Sequence, residues 1–220
     1  MTTTTAEKTI QDSLDSTSAA LLFEHERLAL LYKHNVTMGD QFVAAYLGAL
    51  SVAVALLVGM RELIPESSTL VLVEFALLVI ILVVGAITFR RLIERRIRSI
   101  EYLRAINRIH RYFADRDPKV QQYFYWPVCD DCPPMHAKGT VLGGLRDIVA
   151  GLNSLFFGFA GSVITKTWWP TSQYLVLVLV GIAIAVIVWF IQHKFSEDAL
   201  NRADQEMNKF ILFPQPKQQS

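Results

Sequence analysis

Residues 69–113 read TLVLVEFALLVIILVVGAITFRRLIERRIRSIEYLRAINRIHRYF. Residues 69–89 carry a single charge, Glu74. At about 1.5 Å per residue they are long enough to cross a bilayer core of about 30 Å. Residues 90–113, which we name the stalk, hold eight arginines against two glutamates and contain neither Gly nor Pro. The stretch therefore predicts a membrane span that continues without interruption as a long arginine-rich helix.

The apolar residues of the chain are gathered into runs, and they make up 52% of its 220 residues. This composition is too apolar for an ordinary soluble domain and indicates a polytopic membrane protein. Because backbone groups in lipid must be satisfied internally, and the runs have the length of spanning helices, we predict an all-α fold with four transmembrane helices. The predicted spans are residues 42–60, 69–89, 148–164 and 174–192. No secretory signal opens the chain, so the first span is expected to act as the insertion signal.

Basic residues are distributed unevenly between the predicted loops. The loops 61–68 and 165–173 hold one base each, whereas the central segment 90–147 contains the arginines of the stalk. The positive-inside rule then predicts that this segment and both termini are cytoplasmic, in a multi-pass protein of the inner (plasma) membrane. The expected cytoplasmic helical layer has three parts: an amphipathic N-terminal helix (1–41), the stalk with a Cys/Pro loop (90–147), and a C-terminal helix and tail (193–220).

Local signals predict where the cytoplasmic helices begin and end. Gly39 and Asp40 are expected to end the N-terminal helix, and Ser196 is expected to cap a separate C-terminal helix. The N-terminal segment carries six acids and three bases, with leucines such as Leu28 at helical spacing. Because the stalk is basic and has its own apolar stripe, we expect the N-terminal helix to pack against it.

Small residues mark two of the predicted spans. Such residues allow helix backbones to approach closely in lipid. The third span is the shortest and the richest in small and polar residues, so we expect it to be the span most enclosed by protein. It also supplies two uncharged polar candidates for an intramembrane site, Asn153 and Ser154. The predicted helix-packing residues are Gly48, Ser51, Ala55, Gly158 and Ser162.

Glu74 is an ionisable residue inside a predicted span, which makes it a functional-site hypothesis as a proton or cation site. The alternative is that Glu74 has no functional role. It lies near the end of the span, so its side chain could extend towards the interface and bring the carboxylate to water or to Arg61. A small proton-coupled transporter using Glu74 is accordingly one of the functions kept open.

Cys129, Cys132 and His136 have a spacing compatible with zinc, but tetrahedral zinc needs four ligands and the chain has no second cysteine pair. A site completed by another residue or subunit and a redox CxxC motif are alternatives to a proline-rich loop with free thiols. The free thiols are the default expectation in a reducing cytoplasm. No cofactor is expected.

The first arginines of the stalk would lie beside the lipid headgroups. Anionic lipid phosphates or a cytoplasmic protein partner are therefore the expected contacts, in preference to nucleic acid. The sequence contains no glycine-rich phosphate loop, nucleophile elbow or HExxH motif, so we do not expect an enzyme. The residues assigned to lipid or partner contact are Arg90, Arg91, Arg95, Arg96 and Arg98.

The layout, four spans in a short chain with a helical cytoplasmic layer, resembles the small membrane effector or accessory proteins of bacterial defence systems, among them the SLATT-type proteins. The resemblance implies a homo-oligomer that perturbs or permeabilises the inner membrane when a cytoplasmic partner signals. The leading hypothesis is a non-enzymatic, pore-forming or membrane-perturbing protein controlled through its cytoplasmic helices. A passive membrane anchor for a soluble partner is the alternative from another class, besides the transporter.

Overall fold

The computed structural model of the chain describes residues 3–63, 68–124, 128–129, 131–135, 144–169 and 173–211. None of these residues lies in a β-strand, and all four long helices have the length and apolar composition needed to cross a membrane. The predicted all-α class with four such helices is confirmed. The helices are α1 (Thr3–Leu63), α2 (Ser68–Arg116), α3 (Leu145–Trp168) and α4 (Tyr174–Asn208), with a short 3-10 helix (Pro118–Tyr123) after α2.

The helix α1 does not break at Gly39 and Asp40, so the predicted end of the N-terminal helix is wrong. It runs as one helix of 61 residues. Gly39 is buried against α2, where the Cδ atom of Arg95 lies 4.0 Å from the position of an added Cβ. A glycine inside a helix costs only about 0.5–1 kcal/mol relative to alanine. Packing along the helix outweighs this local preference.

Ser196 likewise does not cap a separate helix, because α4 continues through it to Asn208. The side chain of Ser196 is 1% exposed. Its Oγ atom accepts a hydrogen bond from Nη1 of Arg146 at 2.8 Å. The hydroxyl that suggested a helix cap is therefore used in a tertiary contact inside a helix.

The contacts divide the chain into two compact units. Unit 1 consists of Met1–Val36, Ile97–Met135 and Asp204–Ser220, and unit 2 of Thr37–Arg96 and His136–Ala203. The four predicted spans all fall in unit 2. Since α1, α2 and α4 each extend from one set of residues into the other, these three helices contribute to both units.

In unit 1, α1 and α2 lie side by side and antiparallel. Nδ2 of Asn35 donates a hydrogen bond to Oγ of Ser99 at 2.8 Å. Further along, Nε2 of His25 and Nε2 of His110 are 3.1 Å apart. The residue number falls on α1 as it rises on α2, which defines the antiparallel direction. The expected pairing of the N-terminal helix with the stalk is present.

In unit 2, α3 contacts each of the other three helices through side chains described below. It is also the most buried of the four, since a third (33%) of its most apolar stretch is buried, against 6% for α4. The expectation that the third span is the most enclosed by protein is confirmed. A physical reason is its content of small residues, which let neighbouring helices approach closely.

Candidate functional site

A cavity of about 650 Å³ lies between α1, α2 and α3 in unit 2, and we name it the Glu74 cavity. Thirteen of the described residues line it; Glu74 is the one charged residue among these thirteen, and the other twelve are apolar. Leu78 is the most buried of the lining residues at 7% exposure, whereas Phe159 and Trp168 are 56% and 84% exposed. Because Phe75 of α2 is also 50% exposed, the cavity is open to the side along both α2 and α3.

Glu74 lies about 9 Å along α2 from Ser68, at about 1.5 Å per residue. It is half-buried and takes part in an interaction within the protein. The structure thus places the carboxylate in an apolar cavity at one end of the predicted span. Sequence reasoning singled out Glu74 but could not identify the aromatic residues around it, which come from α2 and from α3.

Asn153 is brought together with Tyr46, a residue that sequence reasoning missed. The Oη atom of Tyr46 donates a hydrogen bond to Oδ1 of Asn153 at 2.7 Å, and both residues are buried. Gly85 of α2 makes room for the pair, because an added Cβ there would meet the Asn153 side chain. Ser154 does not join them, since its Oγ donates to the Ala150 carbonyl of its own helix at 2.7 Å. A tyrosine hydroxyl in an apolar span was the available signal, because a buried tyrosine usually finds a polar partner.

The contact between α3 and α4 is built on glycine. A Cβ added to Gly158 would meet the carbonyl oxygen of Gly181, and Cβ of Ala185 lies 3.0 Å from that position. Beside it, Oγ of Ser162 donates to the carbonyl of Leu177 at 2.9 Å. Two of the predicted helix-packing residues, Gly158 and Ser162, thus lie against α4. Gly181, their counterpart on α4, was not identified from the sequence.

The small residues of α1 have a different environment. Gly48, Ser51 and Ala55 are exposed, and apart from the backbone of α1 itself no described atom lies within 4 Å of a Cβ added to Gly48. The buried residues of this part of α1 include Val43 and Tyr46. At 3.6 residues per turn, the small residues occupy the opposite side of the helix. They form an exposed face, which we name the α1 small-residue face.

The arginines assigned to lipid or partner contact are in several environments. Arg90 pairs with Glu94 at 2.9 Å on the surface. The guanidinium carbons of Arg91 and Arg95 lie 5.1 and 4.8 Å from the ring centroid of Phe42, within the range of cation–π interactions. Arg90 and Arg91 are exposed.

Arg96 and Arg98 differ from each other. Arg96 is half-buried in unit 2. Burial lowers the pKa of Arg96, and nearby Arg146 lowers it further while Asp147 acts in the opposite direction. Arg98 is exposed and belongs to unit 1. The exposed members of the arginine set are thus the ones open to a phosphate or a partner.

The expected free thiols of Cys129 and Cys132 are not present, because the structure joins the two sulfurs in a disulfide. Their Cα atoms are 5.5 Å apart, within the range that a disulfide can bridge. The sulfurs and an oxygen of Asp131 lie within 4.8 Å of one another. Zinc binds thiolates, which the disulfide form does not offer. The third residue of the zinc hypothesis, His136, lies outside the described residues.

Arg104 connects three parts of unit 1. Its side chain is 5% exposed, and Nη2 lies 2.9 Å from Oδ1 of Asp204 on α4. Its Nε donates to the carbonyl of Pro133 in the disulfide loop at 3.3 Å, next to the Cys132 carbonyl that accepts from Nδ2 of Asn107 at 2.8 Å. Sequence reasoning treated Arg104 as one cation among eight. The ion pair identifies it as the residue that joins α2, the loop and α4.

His110 occupies a second contact point of unit 1. Its ring stacks on Phe124 with centroids 4.5 Å apart and faces His25 of α1. Burial lowers the pKa of His110, and the neighbouring His25 lowers it further. The neutral form of His110 is therefore favoured in the folded chain.

Comparison with protein-family models, with curated proteins and with solved structures finds no match to this chain. The helices alone define the class: an all-α protein with four helices that could cross a membrane, as expected of a multi-pass membrane protein.

Proposed function

We propose that the chain is a non-enzymatic membrane protein that acts as a homo-oligomer, perturbs or conducts across the inner membrane, and is controlled through unit 1. The observation that carries this proposal is the α1 small-residue face. In lipid, apolar surface alone gives no drive for helices to associate, and small residues are what permit close backbone packing. Gly158 and Gly181 use that device inside the monomer.

The occupant proposed for the α1 small-residue face is a second copy of the chain. A face around Gly48 with no described neighbour within 4 Å admits the backbone of another helix. Most soluble oligomers are homo-oligomers with closed symmetry, in which a two-fold contact uses the same patch on both copies. We extend that argument to the membrane, where α1 of one copy would pack on α1 of the next.

Control through unit 1 follows from the helices that build it. α1, α2 and α4 each contribute residues to both units, so a partner that binds unit 1 binds the ends of helices that also carry predicted spans. The exposed arginines suit an acidic protein surface or anionic lipid. This arrangement agrees with the resemblance to the membrane effectors of defence systems.

The oligomer is tested with Gly48→Leu, which places a large side chain on the α1 small-residue face at a position where an added Cβ has no described atom within 4 Å outside the helix backbone. We expect native mass spectrometry of the wild type to give a multimer and the variant to give mainly monomer with unchanged thermal stability. Ala49→Leu is the matched control, because Ala49 is also exposed on α1 but, as the next residue after Gly48, points about 100° away from it around the helix. A variant that remains multimeric would refute the proposed contact.

Membrane perturbation is tested with the same three proteins in liposomes. We expect wild type and Ala49→Leu to release a trapped dye, and Gly48→Leu to release at least tenfold less. A wild-type protein that is monomeric and releases no dye would contradict the proposal and favour the passive anchor. Equal release by all three proteins would show that α1 packing is not needed for permeabilisation.

The proposed topology has both termini in the cytoplasm of a cell with an inner membrane, and it rests on the concentration of arginines after residue 89. Single cysteines at Ser16 and at Gln173, in a chain with both native cysteines replaced by serine, report the two sides. A membrane-impermeant maleimide is expected to label the Gln173 variant in intact cells and the Ser16 variant only after permeabilisation. The reverse pattern would invert the topology.

A further inference from the structure

We infer that the Glu74 cavity binds a lipophilic organic cation, such as a hydrophobic amine or a quaternary ammonium or phosphonium ion. The cavity volume of about 650 Å³ is within the range of small-molecule sites, about 300–1,000 Å³. The site needs no second copy of the chain, since α1, α2 and α3 of one copy form it. It is therefore independent of the proposed oligomer.

The charge of the occupant follows from Glu74. A carboxylate surrounded by apolar residues is costly in a low-dielectric setting unless a cation accompanies it. Glu74 already has an interaction within the protein, so a ligand would join or replace that partner. The Glu74 carboxylate would repel an anionic ligand, and the described part of the lining supplies no arginine or lysine to attract one.

The apolar character of the occupant follows from the remaining lining. The lining includes four aromatic side chains from α2 and α3: Phe75, Phe156, Phe159 and Trp168. The faces of such rings attract cations, including organic cations such as quaternary ammonium ions, which also contact the rings through their apolar groups. A small hydrated metal ion would gain little from this lining, whereas a bulky organic cation would use both the rings and the carboxylate.

A neutral lipid acyl chain is the competing occupant of a cavity that opens to the side. It would fit the apolar walls but would gain nothing from Glu74. The two occupants are therefore distinguished by their dependence on charge, with the shape of the ligand held constant.

The experiment uses the full chain in phosphatidylcholine nanodiscs, with empty nanodiscs as the background. Tetraphenylphosphonium and tetraphenylborate have nearly the same shape and opposite charge. We expect saturable binding of tetraphenylphosphonium to the wild type, at least tenfold weaker binding to Glu74→Gln, and no saturable binding of tetraphenylborate. Phe159→Leu is expected to weaken binding severalfold, and Glu94→Gln, which removes an exposed carboxylate, is expected to leave it unchanged.

A measurement on the wild type keeps the test decisive if Glu74→Gln does not fold. Hydrophobic carbodiimides modify carboxylates in apolar surroundings, and mass spectrometry can locate the product. We expect tetraphenylphosphonium to protect Glu74 from modification. Absence of protection, undiminished binding to a folded Glu74→Gln, or saturable tetraphenylborate binding would each overturn the inference and leave the cavity as a groove for lipid chains.

Discussion

Unit 1 and the predicted spans of unit 2 hold their helices together by different chemistry. In unit 1 the contacts between elements use charged and titratable side chains, notably the ion pair of Arg104 with Asp204 and the pair of His25 with His110. Where residues of two predicted spans meet, the described contacts are uncharged: glycines packed on backbone, and the hydrogen bond from Tyr46 to its partner on α3.

The difference corresponds to the two solvents that the sequence predicts for these regions. In lipid a charged side chain is expensive, and close packing of small residues is the effective way to join helices. In water the hydrophobic effect operates, and a buried ion pair is tolerated where its geometry and hydrogen bonds are good. The same helices therefore carry two kinds of contact along their length.

The strongest test of the ionic contacts is Arg104→Leu, which leaves Asp204 without its partner. Removing one member of a buried pair costs about 3–5 kcal/mol. We expect about 3 kcal/mol, the lower limit, because the Asp204 side chain is 33% exposed and can regain water. The measurement is hydrogen exchange over residues 97–116, which should accelerate strongly.

Two further variants sharpen this prediction. Arg27→Leu removes the exposed ion pair with Glu24, and such a pair contributes only about 0–1 kcal/mol. Replacing both Arg104 and Asp204 by leucine should recover part of the lost protection, because no charge is then left unpaired. If hydrogen exchange over residues 97–116 were equally fast in Arg104→Leu and Arg27→Leu, burial of the Arg104 ion pair would not increase its contribution to stability.

The corresponding test of the spans is Gly158→Val, which places a branched side chain against the Gly181 carbonyl. Overpacking of this kind costs about 1–3 kcal/mol. We expect a lower thermal unfolding temperature in detergent micelles. Gly151→Val is the matched control on the same helix, since no described atom outside the helix backbone lies within 4 Å of a Cβ at that position. If the control variant were destabilised as much as Gly158→Val, the lower unfolding temperature would be due to the effect of valine on the helix itself and not to packing against α4.

The smallest expected effect concerns His110 and pH. Because burial and His25 lower the pKa of His110, the folded chain binds fewer protons than the unfolded chain near the ordinary histidine pKa of 6.5. The free energy of unfolding contributed by this group therefore decreases as the pH falls below that value. Hydrogen exchange of α1 residues 16–36 should accelerate at pH 5.5 relative to pH 7.5, after correction for intrinsic rates, and His110→Gln should flatten the dependence.

Residues 149–160 of α3 provide the internal control for the pH series, because none of them is titratable. Their corrected exchange should not follow the same pH dependence. An acceleration of the same size in α3, or an unchanged pH dependence in His110→Gln, would assign the effect to another group.

Local sequence signals were least reliable where they predicted that a helix ends or begins. Gly39 and Ser196 carry a real preference for helix ends, but each is worth about 1 kcal/mol, and burial of the surrounding helix contributes more. The disulfide of Cys129 and Cys132 was missed for another reason. Thiols in a predicted cytoplasmic loop were expected to be reduced, whereas the loop geometry brings the two sulfurs together.

What the sequence alone determined is the set of four apolar helices, the position of Glu74 within one of them, and the surplus of arginine after residue 89. Length, hydropathy and the absence of breakers suffice for these, because they depend on residues adjacent in the chain. The tertiary structure decided the partners: Tyr46 with Asn153, 107 residues away, and Arg104 with Asp204, 100 residues away. Such pairs and the Glu74 cavity depend on how each helix is rotated and shifted against its neighbours, and helical periodicity does not specify that arrangement.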